Sequence, residues 1–238
     1  MNIGERVHGA ADAVALVVLG SDGSTASYTY ALLERRITER RRYLRRLGLA
    51  ANDVVGFLSD NGADFVIAWY AALREGLVVV PVNHKLHESG IAHILGDAGV
   101  AMVLTDANHA HRLPASFRSA PIGGERHEAQ HEAQHEAQRD APPDDCAAVD
   151  PDAPAVILYT SGSTGTPKGV PMSHDGYGWT IDMRLKGGPH AHHRVLIAAP
   201  LYHINALGAV TFALAAGATA VLMQRFDARR YIRAIEQQ

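Results

Sequence analysis

Short, uninterrupted apolar runs alternate with helix-period segments along most of this chain, and that alternation restricts the possible folds more than any other feature. Val54–Leu58, Leu77–Val80, Val100–Thr105, Ala155–Tyr159, Val195–Ala199 and Thr219–Met223 read as strands. Ala63–Glu75, Glu88–Asp97 and Ile204–Ala216 read as helices between them, and a last helix starts near Asp227. Continuously apolar strands must be covered on both sides, so the pattern predicts an α/β fold, mainly parallel sheets flanked by helices on both faces. Near the N-terminus, Ala13–Leu19 runs into the turn residues Gly20-Ser21-Asp22-Gly23, which predicts a β-hairpin rather than an export signal. Thr29 can cap a helix whose apolar stripe is Tyr30, Leu33, Ile37, Leu44 and Leu47, with Gly48 as its stop. Arg35, Arg36, Arg40, Arg41, Arg42, Arg45 and Arg46 cover the rest of that helix and read as a solvated face.

Composition excludes several classes. With 238 residues, 47% hydrophobic and 20% charged, the chain has the profile of a soluble globular protein with a sizeable core. A formal net charge of −3 gives no electrostatic reason to expect nucleic acid or an anionic membrane as partner. Val195–Gln224 lacks Asp, Glu, Lys and Arg and is long enough to span a bilayer. Pro200, His203, Asn205, Gly208 and Gly217 punctuate it, however, so it reads as strand, turn, buried helix and strand, with no transmembrane segment. Cys146 is the single cysteine, which excludes an internal disulfide and suits a reducing cytoplasm.

The stretch from Pro114 to Pro154 breaks the alternation. Its centre repeats His-Glu-Ala-Gln three times, from His127 to Gln138. His127 to His131 and His131 to His135 each satisfy H-E-x-x-H, in which two histidines share a helix face and a glutamate serves as base. Any tandem HEAQ repeat produces that match automatically, so a low-complexity surface insertion is the preferred reading, and no metal ligands are assigned.

The chemistry is concentrated in Tyr159-Thr-Ser-Gly-Ser-Thr-Gly-Thr-Pro-Lys-Gly169, directly after an apolar strand. Glycines Gly162, Gly165 and Gly169 let the backbone approach a ligand and turn successive N–H groups toward an anion. Thr160, Ser161, Ser163, Thr164 and Thr166 add hydroxyl donors, Lys168 adds a full positive charge, and Pro167 stiffens the loop before it. A polyphosphate needs that mixture, whereas a flexible Ser/Gly linker does not. G-x-x-x-x-G-K-[ST] does not align, because Thr166 rather than Lys follows Gly165, and so an ordinary phosphate-loop ATPase is disfavoured.

YTSGSTGTPKGV resembles the phosphate-loop signature of the acyl-adenylate-forming superfamily, which includes acyl- and aryl-CoA synthetases and peptide-synthetase adenylation domains. Thr29–Arg36, Asp60–Leu86, Pro200–Gly208 and Val221–Arg230 resemble further family segments in the expected order. The resemblance implies that Thr160–Gly169 grips the β- and γ-phosphates of ATP while a substrate carboxylate attacks the α-phosphorus, with Mg²⁺ neutralising the phosphates. It also implies that His203 lines the acid pocket, with Tyr202 and Asn205 as weaker candidates. The bland alternative for His203 is a buried, hydrogen-bonded histidine at a helix start. Amino-acid-activating relatives commonly carry an Asp near this position; Tyr202-His203-Ile204-Asn205 offers none, which favours a fatty or aromatic acid joined to coenzyme A. An amino-acid-adenylating domain, a binding module without turnover, and metal-dependent proteolysis through HEAQH are the competing classes.

By the same resemblance, residues 1–113 and 155–238 are two parts of an incomplete large N-terminal domain, joined by the 114–154 loop, with the C-terminal domain absent. The expected consequences are weak or no acyl-adenylate formation by the isolated chain, and self-association through apolar surface. The insertion itself is testable. Deleting His127–Gln138 is expected to leave the thermal unfolding midpoint within a few degrees, because the repeat supplies almost no apolar surface to offset its ordering entropy. Loss of cooperative unfolding in the deletion would show instead that the repeat is part of the fold.

Overall fold

The computed structural model describes residues 1–124, 145–160 and 166–237. The HEAQ repeat and Ser161–Gly165 lie outside these described residues. Strands β1 (Val14–Leu19) and β2 (Thr25–Thr29) form the expected antiparallel hairpin, and Thr29 ends it by starting helix α1 (Tyr30–Arg46). The Thr29 hydroxyl accepts from the Leu32 N–H, which satisfies one of the amide donors orphaned at a helix start. Then follow β3 (Val54–Leu58), α2 (Ala63–Arg74), β4 (Val78–Pro81), α3 (Glu88–Asp97), β5 (Met102–Thr105) and β6 (Ser119–Pro121). Beyond the repeat come β7 (Pro154–Thr160), β8 (Lys168–Ser173), α4 (His174–Leu185), β9 (Arg194–Ile197), α5 (Ile204–Ala215), β10 (Thr219–Met223) and α6 (Ala228–Gln237). Gly48 and Gly76, just past α1 and α2, adopt φ of 80° and 70°, the left-handed conformation that ends a helix without a Cβ clash.

Two sheets result. The first has the order β2-β1-β10-β9 and the second β6-β5-β3-β4-β7-β8. All neighbours are parallel except the β1–β2 and β7–β8 pairs, each at a sheet edge, so the fold is α/β with mixed sheets flanked by helices. Each sheet takes strands from both sides of the HEAQ repeat: β1 pairs with β10, and β4 pairs with β7. Helix α2 is buried from Phe65 through Arg74 and packs on α1, as a helix apolar on all faces must. The feared membrane span resolves into β9, α5 and β10, and no described helix is long and apolar enough to cross a membrane.

Two features depart from the sequence reading. Strand β8 runs antiparallel to β7 and is largely exposed, with Pro171 in its middle. An exposed edge strand carries little hydropathic signal, and only at an edge is a residue without an N–H tolerated. The arginine-covered side of α1 is not wholly solvated either, since Arg40 and Arg41 are buried. Both fall on the apolar stripe, Arg41 four residues after Ile37 and Arg40 four before Leu44, so they face α2 rather than water. Arg41 is held by Glu75 at 2.6 Å and by the Asp145 carbonyl at 2.9 Å. Glu75 also accepts from Arg45 at 2.6 Å.

The two sheets share one hydrophobic core, and a buried amide bridges their ends. Buried Asn61, three residues past β3, donates from Nδ2 to the carbonyls of Ala199 and Met223, both at 3.0 Å. Its Oδ1 accepts from the Leu201 N–H at 2.7 Å. The C-terminal end of β3 in the second sheet is thereby fixed to the C-terminal ends of β9 and β10 in the first.

Two substitutions test these joints. Glu75→Ala should lower the free energy of unfolding by about 3–5 kcal/mol, because it strips the charge partner from buried Arg41; a loss below about 1 kcal/mol in chemical denaturation would show the pair to be incidental. Asn61→Ala should cost about 1–3 kcal/mol for the buried Leu201 amide alone. Asn61→Asp should cost at least as much, because it turns a carboxylate oxygen toward the Ala199 and Met223 carbonyls; equal stability of all three chains would exclude the clamp.

Candidate functional site

The strands β3, β4, β5 and β7 are parallel, so their C-terminal ends open on one edge of the second sheet. Ligands in open α/β sheets bind beyond that edge. The Ser/Thr/Gly loop leaves it at Thr160 and re-enters at Lys168, which face each other as the last register pair of β7 and β8. Of the predicted phosphate contacts, Thr160, Thr166, Lys168 and Gly169 are exposed at the loop stems. Ser161, Gly162, Ser163, Thr164 and Gly165 lie outside the described residues.

Helix α3 holds both stems. Tyr159 donates from its hydroxyl to Asp97 Oδ2 at 2.5 Å, and His93 Nε2 lies 3.2 Å from the Pro167 carbonyl. Burial first, and Asp97 second, push the Tyr159 pKa up, so the phenol stays a hydrogen-bond donor at neutral pH. A Cβ on Gly169 would come within 3.0 Å of both the Tyr159 ring and Ile157, so glycine permits the ring to lie against the opposite strand. Sequence reasoning missed His93 and Asp97, since nothing in a helix pattern marks residues whose partners lie 74 and 62 positions away.

The second predicted segment lies beyond β9. Leu201 and Tyr202 are buried, and His203 stands at the N-cap of α5 without capping it through its side chain. His203 is exposed, so the reading as a buried, hydrogen-bonded histidine does not hold. Asn205 is exposed in the first turn of the same helix. The Tyr202 ring lies 4.6 Å from that of His203 and 5.2 Å from that of His84, the latter edge-on. The Asn61 clamp grips the backbone at Ala199 and Leu201, and so fixes where Tyr202 and His203 emerge.

His84 belongs to a group that sequence reasoning did not single out. Asp60, His84 and His109 follow β3, β4 and β5 by two to four residues and meet at the same sheet edge. Asp60 Oδ1 lies 3.8 Å from His84 Nε2 and 3.8 Å from His109 Nε2. Asp106 supports the group: Oδ1 pairs with His109 Nδ1 at 2.7 Å, and Oδ2 accepts from Ser59 Oγ and the Asp60 N–H. Burial pushes the Asp106 pKa up, but the Asp60 amide and His109 outweigh it and hold the carboxylate below its ordinary range. Burial and then His109 depress the pKa of His84, against a smaller opposing pull from Asp60. The available signal was positional, polar titratable residues just past the C-terminal ends of three apolar strands.

Comparison with known proteins fits this arrangement. Feruloyl-CoA synthase of Amycolatopsis sp is 32% identical over 91% of this chain and 43% of its own length. The long-chain-fatty-acid–CoA ligase FadD13 of Mycobacterium tuberculosis is 31% identical over 85% of this chain and 41% of its own. The structure of o-succinylbenzoate coenzyme A synthetase from Bacillus subtilis in complex with AMP superposes with a TM-score of 0.80 at 25% identity, covering all of this chain and 59% of that one. The chain thus spans less than half the length of the two curated relatives. The family described as AMP-binding enzyme matches residues 4–238, and this chain, a relative of acid–CoA ligases, belongs to that family.

Proposed function

We infer that this chain is the ATP-gripping part of an AMP-forming acid–CoA ligase, acting on a fatty or aromatic carboxylic acid. The observation that carries the reading is the Thr160–Lys168 register pair, which seats a loop of hydroxyls, glycines and one lysine on the C-terminal edge of a parallel sheet. Thr160, Ser161, Gly162, Ser163, Thr164, Gly165, Thr166, Lys168 and Gly169 would donate to the β- and γ-phosphates. A carboxylate oxygen of the acid attacks the α-phosphorus, the bond to the bridging oxygen breaks, and pyrophosphate leaves. Catalysis here is positioning and charge stabilisation. Lys168 and the amides stabilise charge building on the departing pyrophosphate, and α3 keeps the loop stems from moving as it builds. The loop's donors suit phosphate oxygens rather than a cation, so Mg²⁺ would arrive with the nucleotide as its counter-ion. The thiol of coenzyme A would then attack the acyl carbon, lose its proton and form the thioester as the acyl–phosphate bond breaks and AMP leaves.

The acid would lie by Tyr202 and His203, an aromatic pair with no carboxylate among its sequence neighbours to attract an ammonium group. The relatives named for feruloyl and long-chain fatty acids support the same substrate class. A soluble cytoplasmic location fits these substrates and the lone cysteine.

In a full-length version of the ligase, Lys168→Ala should slow acid-dependent exchange of pyrophosphate into ATP about 10- to 150-fold, since one charge-assisted contact contributes roughly 1.5–3 kcal/mol. Circular dichroism should stay unchanged, because Lys168 is exposed. Exchange at the parent rate would remove Lys168 from the mechanism, and exchange driven by amino acids but not by aromatic or fatty acids would overturn the substrate class.

A further inference from the structure

We propose that Asp60, His84 and His109 form a three-ligand site for a divalent transition ion, with zinc the best match, stapling the connections that follow β3, β4 and β5. The proposal does not rest on the ligase reading. Donor atoms of all three residues lie within 4.8 Å of one another. Asp60 Oδ1 is equidistant, at 3.8 Å, from the two Nε2 atoms, too far to hydrogen-bond to either. Ligands about 2.0–2.1 Å from one zinc ion sit about 3.3 Å apart in a regular tetrahedron and farther apart as the angle opens, so small inward shifts would close this gap on an ion.

Side chains orient Asp60 and His109, and the backbone of His84 is held. Asn108 Nδ2 donates to Asp60 Oδ2 at 3.2 Å, which leaves Oδ1 facing the rings. Asp106 Oδ1 lies 2.7 Å from His109 Nδ1, so Nε2 is the nitrogen turned toward Asp60. That carboxylate–histidine relay is the usual support behind a metal-bound imidazole. His84 is fixed by its backbone, whose carbonyl accepts from Arg112, while Arg112 also donates to the Leu86 carbonyl at 2.6 Å. The two histidine side chains are only 17% and 11% accessible, while Asp60 at 34% leaves a route for an ion and a fourth, water-filled position. Two imidazoles and one carboxylate suit zinc over magnesium or calcium, which favour oxygen-only ligands. The Tyr202 ring packs edge-on against His84, so an ion here would also stiffen the wall from which His203 projects.

The test must separate this site from the histidines of the repeat. The full chain carrying His127→Ala, His131→Ala and His135→Ala is therefore the reference, titrated with zinc against a chromophoric chelator. It should bind one equivalent tightly, rise in unfolding midpoint with zinc, and give the visible ligand-field absorption of four-coordinate cobalt(II) when cobalt replaces zinc. Adding His84→Ala and His109→Ala should remove that equivalent, the midpoint shift and the cobalt bands. Asp106→Asn should keep the stoichiometry but weaken affinity about 10- to 100-fold, as expected for a supporting carboxylate. If the chain with both histidines replaced does not fold, Asp106→Asn decides. Unchanged zinc binding in either substituted chain, or no tight equivalent in the reference, would overturn the site.

Discussion

The side-chain amide of Asn61 ties together the C-terminal ends of two sheets that share one hydrophobic core. It makes three hydrogen bonds from one buried position, two as donor and one as acceptor, and all three partners are backbone groups at the C-terminal end of the first sheet. Buried backbone groups must be paired, so the amide is needed energetically as well as sterically. Asn61 follows β3, the strand whose neighbours carry the His/Asp group, and it grips the loop that carries Tyr202 and His203. Asn61 thus links the His/Asp group to the proposed acid wall, beside the direct packing of Tyr202 on His84.

The second organising device is α3. Through Asp97 and His93 it touches the outgoing and returning stems of the Ser/Thr/Gly loop, one at the Tyr159 hydroxyl and one at the Pro167 carbonyl. A loop made of glycine and hydroxyl residues has little apolar surface with which to order itself. Holding the stems fixes the points at which the chain leaves and re-enters the edge of the second sheet.

Most of the architecture was legible because buried parallel strands announce themselves as unbroken apolar runs. Glu88–Asp97 and Thr219–Met223 form the elements expected of them, residue for residue, and Thr29 caps α1 as its hydroxyl allows. Failure came where burial and polarity part company. Exposed β8 has no apolar run to read, and Arg40 and Arg41 occupy core-facing positions that composition assigns to water. For the candidate site, the sequence offered only contiguous stretches, Thr160–Gly169 and the residues around His203. Asn61, Asp97 and the Asp60–His84–His109 group act across gaps of tens to more than a hundred residues, and no local period encodes such encounters.

The interleaving of the sheets bears on how the chain reaches its fold. In the first sheet Leu16 is paired with Ala220, so β1 has its hairpin mate at once but not its parallel neighbour. At synthesis rates of about 5–20 residues per second, roughly 10–40 s separate the emergence of these two strands. During that interval one side of Val14–Leu19 presents unpaired amides and carbonyls beside buried-type side chains. Non-local parallel pairing of this kind closes slowly. A nascent chain of this topology therefore has a built-in waiting period, and chaperone occupancy of the β1–β2 hairpin would shield it until β10 arrives.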